Sequence, residues 1–148
     1  MVNRTPARAE AAAALAGSTG RVGTVEEVAD SELIVNATPV GMASDARLGA
    51  EVRSVDGTVI DGPGPDPAVV VDPAWLGAGQ LVVDLVYDPP LTPLVEAARA
   101  RGAAAANGLG MLIHQAAHAF RLWTGEDPPL AVMSAAALAE LARAGDDR

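Results

Sequence analysis

Residues 107–118, Asn-Gly-Leu-Gly-Met-Leu-Ile-His-Gln-Ala-Ala-His, hold the densest set of groups able to do chemistry. Gly108 and Gly110 open an apolar helix there, and glycine lets a backbone come close to a flat ring or a phosphate. Leu109, Leu112, Ile113, Ala116, Phe120 and Trp123 share one stripe at helical spacing. Met111, Gln115, His118 and Leu122 fall on the opposite face. A free-standing surface helix has no use for such a second face, so the spacing predicts that something covers it. Gln115 is then a lone buried amide aimed at a polar ligand. It can both donate and accept, which suits a hydroxylated or carboxylated molecule. His118 reads as a structural side chain, and His114, toward the side of the helix, has no assigned role.

Three more groups carry chemistry. In Asn3-Arg4-Thr5-Pro6-Ala7-Arg8, Thr5 and Pro6 start a helix as N-cap and first residue. Arg4 can grip a phosphate through two bonds. Arg8 lies in the first helical turn, where its charge opposes the helix dipole; a bound phosphate relieves that conflict. Dinucleotide folds usually end the corresponding strand in an acid that binds ribose hydroxyls. Donors in its place point to NADP rather than NAD. The plainer alternative is a capped surface helix with two solvated arginines.

In Asn36-Ala37-Thr38-Pro39-Val40-Gly41-Met42 a strand ends in short polar residues and a tight loop. Thr38 is placed to donate to a ribose or phosphate; alternatively Asn36 only satisfies local backbone groups. In Asp84-Leu85-Val86-Tyr87 the single tyrosine sits at a strand end, within reach of a ligand. Nothing in the sequence makes it a proton donor, and packing with a solvated hydroxyl is the competing role. Asp88 reads as a turn residue before Pro89. A phosphate-cradling glycine loop should precede the Asn3 group by roughly 20–30 residues, so the chain is expected to begin too late to contain one. Gly62-Pro63-Gly64 and Gly77-Ala78-Gly79 read as turns instead.

The elements that position these groups alternate between helix and strand. Val2 reads as the end of a strand, followed by a helix from Thr5 to about Ala16. Arg21–Val25 is a short strand candidate and Glu26–Ala29 one helical turn. Leu33–Asn36 and Leu81–Val86 are apolar, buried strands. Residues 43–80 are the loosest stretch. They include the turn-rich Asp61–Pro67, a short strand at Val69–Val71 and one helical turn at Asp72–Leu76. A second Thr-Pro start at Thr92-Pro93 opens a helix to about Arg101, and Ala103–Ala106 is a last small strand. Helices over 109–124 and 130–145 follow, then a polar tail. Such alternation predicts one α/β domain over residues 1–148. Its fold is Rossmann-like, a doubly wound parallel sheet covered on both faces and incomplete at its N-terminal edge. All four chemical groups fall just after predicted strands, on the edge where such sheets bind ligands.

Composition agrees with this and excludes other classes. The chain has 148 residues, half of them apolar, enough for one core. It has no cysteine, and its two histidines share one helix, so neither a disulfide framework nor a metal site is expected. The net charge of −9 argues against nucleic acid. All ten basic residues are arginine, so no mechanism that needs a lysine base can be completed by these residues alone. No apolar run approaches the roughly 20 residues of a membrane span, and the N-terminus lacks a signal-peptide core. A soluble, cytoplasmic protein is expected.

Taken together the motifs resemble the C-terminal, NADP-binding part of the shikimate dehydrogenase family. The matching runs are Asn-Arg-Thr-x-x-Arg at 3–8, Asn-Ala-Thr-Pro-x-Gly-Met at 36–42, Asp-Leu-x-Tyr-x-Pro at 84–89 and Asn-Gly-Leu-Gly-Met-Leu-x-x-Gln-Ala-Ala at 107–117. The resemblance implies reversible hydride transfer between NADPH and 3-dehydroshikimate, giving shikimate for aromatic amino-acid synthesis. It implies that Asn3, Arg4, Thr5 and Arg8 hold the adenosine 2′-phosphate. Thr38, Leu85 and Gly108 line the cofactor, and Met111 lies near the nicotinamide. Tyr87 and Gln115 touch the substrate. The family's N-terminal domain supplies most of the substrate site and a Lys/Asp catalytic pair. No catalytic residue is therefore expected in this chain, which would be inactive unless that domain is supplied in cis or in trans. A non-catalytic nucleotide-binding module and a quinate/shikimate enzyme are the alternatives.

Overall fold

The computed structural model describes residues 1–3, 5–42 and 71–146. Three parallel strands, β1 (Leu33–Asn36), β2 (Leu81–Asp84) and β3 (Ala104–Ala106), form one sheet in the order β1-β2-β3. The helices are α1 (Pro6–Ala14), α2 (Pro93–Ala100), α3 (Leu109–Thr124) and α4 (Leu130–Asp146). Short 3-10 turns occupy Gly17–Thr19, Val25–Asp30 and Pro73–Trp75. Among the described residues this is a Rossmann-like α/β arrangement.

Strand pairing aligns Leu33 with Leu81 and Ile34 with Val82, and Val82 in turn with Ala105. Side chains alternate faces along a strand, so Ile34, Val82 and Ala105 share one face. Helix α2 and the two turns at 25–30 and 73–75 cover it, and Ile34, Leu76, Val82, Ala98 and Ala103 form the buried core. Gln80 locks this layer: its Oε1 accepts from Gly77 N at 2.8 Å and its Nε2 donates to Val28 O at 3.0 Å.

The other face departs from expectation. Leu33, Val35 and Leu81 are 57%, 52% and 43% exposed, so the sheet is covered on one side only among the described residues. The apolar run of β1 suggested burial on both sides. Helix α1 does not supply the second cover; it buries Ala9 and Ala13 and contacts chiefly the Gly17–Thr19 turn that follows it.

Helix boundaries follow the sequence closely. Thr92 caps α2, accepting from Val95 N at 3.3 Å, with Pro93 as first residue. Gly125, at φ 75°, closes α3 in the left-handed conformation that glycine adopts without strain. The expected strand at Arg21–Val25 is reduced to an isolated pairing. Gly23 N donates to Met1 O at 3.0 Å, and the Met1 ammonium to Arg21 O at 2.9 Å. The expected helical turn at 26–29 is the 3-10 turn at 25–30, and that at 72–76 is the one at 73–75. The strand at Val69–Val71 and the turn at Asp61–Pro67 fall at positions that, Val71 apart, lie outside the described residues.

Candidate functional site

Strands β1 and β2 end side by side, with Asn36 paired to Asp84. Asp84 is fully buried. A carboxylate in that position is costly unless donors surround it. Three do. Asn36 Nδ2 donates to its Oδ1 at 3.0 Å and Val86 N to the same oxygen at 3.1 Å, while Thr92 Oγ1 donates to Oδ2 at 2.6 Å. Asn36 in turn accepts on Oδ1 from Thr38 N at 3.0 Å and from Thr38 Oγ1 at 2.7 Å. One buried acid thus ties together the loop after β1, the loop after β2 and the start of α2.

A cleft of about 440 Å³ opens beyond these strand ends, lined among others by Thr38, Pro39, Met42, Leu85 and Tyr87. That volume falls in the range of small-molecule sites, and the carboxyl edge of a parallel sheet is where such folds bind ligands. The fold therefore brings together three of the residues singled out by sequence: half-buried Thr38 and Leu85, and Tyr87, which is 38% exposed.

Gly108 stands behind this cleft rather than in it. A side chain there would collide with the Leu85 carbonyl group, coming within 2.6 Å of its carbon and 3.0 Å of Leu85 Cα. Gly108 N also donates to Val86 O at 3.0 Å. The glycine lets the start of α3 lie against the β2 loop, a packing role besides any approach to a ligand. Met111 and Gln115 lie beyond it on α3 and do not line the cleft.

Gln115 is exposed, not the buried amide the spacing suggested. Helix α3 packs against α4 and buries only Ala117, leaving Met111, Leu122 and Trp123 at 39%, 70% and 84% exposure. Trp123, placed on the apolar stripe by its spacing, is exposed. His114 and His118 are exposed as well.

At the other end of the chain, Asn3, Thr5 and Arg8 are exposed around the start of α1. Asn3 Oδ1 accepts from Thr5 N at 2.9 Å. Thr5 has the extended dihedrals of an N-cap, yet its hydroxyl makes no cap bond, and no acid occupies the first turn. Arg4 lies outside the described residues. Among the described residues no cluster of three or more His, Cys, Asp or Glu could hold a metal, and no helix is long and apolar enough to cross a membrane.

Sequence reasoning missed Asp84 and gave Thr92 only its capping role. The available signal was an acid closing an apolar strand, with a Thr-Pro helix start eight residues on.

Residues 108–138 match the shikimate 5′-dehydrogenase C-terminal domain. The NADP(+) shikimate dehydrogenase of Citrifermentans bemidjiense is 39% identical over 127 residues, covering 86% of this chain and 37% of that protein. Over most of its length the chain is similar to the C-terminal part of shikimate dehydrogenases. Two solved members of the family show the same architecture. A shikimate dehydrogenase in complex with NADP+ superposes with a TM-score of 0.71 and 32% identity, over 95% of this chain and 45% of the other. That of Thermus thermophilus, in complex with shikimate, gives 0.68 and 35% identity, over 95% and 44%. The chain therefore spans less than half the length of each of these shikimate dehydrogenases.

Proposed function

We propose that this chain forms the NADP-binding part of a shikimate dehydrogenase, interconverting 3-dehydroshikimate and shikimate. The observation that carries the reading is the cleft at the carboxyl ends of β1 and β2, where two sequence motifs of the family converge through Thr38, Leu85 and Tyr87. On this reading Thr38 and Leu85 hold the cofactor within the cleft, while Gly108 and Met111 meet it from the start of α3, Met111 toward the nicotinamide. Tyr87 reaches the substrate from the cleft, and Gln115 reaches it from α3, outside the cleft lining. Asn3, Arg4, Thr5 and Arg8 take the 2′-phosphate. The uncapped Thr5 hydroxyl, the open α1 N-terminus and the lack of acid in its first turn suit an anion there.

Bound NADPH would supply the hydride. These residues bind and orient; none is assigned as the proton carrier. With no lysine in these 148 residues, the proton-transferring group and most of the substrate site would come from a further domain, in cis or in trans.

Fluorescence titration of the chain with NADPH and NADH tests the reading. NADPH is expected to bind more tightly. Arg8→Ala should weaken NADPH by about tenfold, the value of one charge-assisted bond, and leave NADH nearly unchanged. Equal affinities for the two cofactors in the wild type would refute the 2′-phosphate site.

A further inference from the structure

The bonds around Asp84 reverse the direction expected from sequence, in which Thr38 donates to a ribose or phosphate. The backbone nitrogens of Thr38 and Val86 can only donate. Asn36 Oδ1 must therefore be the atom facing Thr38, and Asp84 Oδ1 must be an acceptor facing Asn36 Nδ2. Both ends of the Asn36 amide agree on one orientation. Asn36 Oδ1 can only accept, so at 2.7 Å the Thr38 hydroxyl must give it its single proton. What remains on Thr38 Oγ1 are lone pairs, one of them approached by Val40 N at a long 3.4 Å.

We propose that Asp84 is a positioning residue that, through Asn36, holds the Thr38 hydroxyl as a pure acceptor toward the cleft, so that the ligand group seated there is a hydrogen-bond donor. A sugar hydroxyl or a carboxamide N–H meets that demand. A phosphate or carboxylate oxygen meets only lone pairs and is disfavoured. The inference rests on the cleft being the cofactor site. Because Thr38 shares the cleft with Tyr87, assigned to the substrate, the donor belongs to the nicotinamide half of the dinucleotide.

Two measurements test it. The first needs no ligand. In NMR spectra of the whole chain, the Asn36 side-chain N–H facing Asp84 should be protected from solvent exchange. Protection should persist in Asp84→Asn, whose side-chain oxygen still faces Asn36 and Val86, and vanish in Asp84→Ala. Rapid exchange in the wild type would overturn the relay.

The second is a titration with NADP+ and two analogues. One carries acetylpyridine in place of the carboxamide; the other lacks both hydroxyls on the nicotinamide ribose. Thr38→Ser should bind NADP+ within about threefold of wild type, and Thr38→Val about five- to tenfold more weakly. With the analogue that lacks the recognised donor, Thr38→Val should lose less than about twofold. Asp84→Asn should stay within about threefold of wild type, a rescue that a requirement for the charge itself would not allow. If Thr38→Val costs the same with both analogues, donor recognition is overturned. Should the wild type not bind NADP+ at all, the proposed function fails, and the exchange measurement alone decides the relay.

Discussion

Replacing Gly108 by alanine puts a methyl group onto the Leu85 carbonyl, 2.6 Å from its carbon and 3.0 Å from Leu85 Cα. These are backbone atoms at the end of a core strand, so no rotamer change relieves the clash. Displacing Gly108 instead strains two bonds, its N–H to Val86 O and the Leu112 N–H to its own carbonyl, each 3.0 Å long. Overpacking of this kind costs about 1–3 kcal/mol. Because both ways of yielding are obstructed, the loss should lie near the top of that range, at about 2–3 kcal/mol. For a domain of this length that lowers the melting temperature by roughly 5–10 °C. Gly110, two residues on in α3, has nothing within 4 Å of where a Cβ would stand. Gly110→Ala should therefore stabilise the helix by about 0.5–1 kcal/mol. Urea unfolding of both variants, followed by circular dichroism, reads the contrast directly. A Gly108→Ala chain within about 0.5 kcal/mol of wild type would show that the β3–α3 turn is not pressed against β2, and the reasoning about the cleft wall would fall with it.

Two further expectations concern the polar groups. Thr92→Ala removes both the α2 cap and the donor to Asp84 Oδ2, and should cost about 1–3 kcal/mol; Thr92→Ser should lose less than about 1 kcal/mol. Equal losses in the two variants, measured by urea unfolding, would mean that the methyl group and not the hydroxyl matters. The Glu26 carboxyl titrates below its ordinary value, chiefly because the Thr24 hydroxyl donates to it, with its own backbone N–H helping. A lowered folded value stabilises the fold above the unfolded value, and that contribution disappears as pH falls through the folded one. Thr24→Val should bring the Glu26 titration back up when followed by NMR of its carboxyl carbon; an unchanged midpoint would rule out Thr24 as the cause.

Much of the architecture was readable from local chemistry. The Thr92-Pro93 start, the Gly125 stop and the apolar runs at 33–36 and 81–84 each act through their nearest neighbours, so sequence exposes them. The strand-end placement of Thr38, Leu85 and Tyr87 followed from the same boundaries. The Asn36–Asp84 bond could not be read this way, because it joins residues 48 apart and depends on strand register. The direction of the Thr38 hydroxyl depends on that bond, so it was hidden too. Periodicity also overstated burial on α3. It identifies which residues share a face of a helix, yet not whether a neighbour reaches it, and Gln115 and Trp123 stand in solvent.

The exposure of Trp123 gives the protein a built-in pair of optical probes. The chain has only two tryptophans. Trp75 sits half-buried in the turn that covers the sheet, and Trp123 lies at the end of α3 with 84% of its surface in water. Trp123 should emit at the long-wavelength limit and be quenched freely by acrylamide, while Trp75 emits further to the blue and resists quenching. Single Trp→Phe variants separate the two signals. Unfolding of the sheet layer and events at the α3–α4 hairpin can then be followed independently in one unlabelled chain.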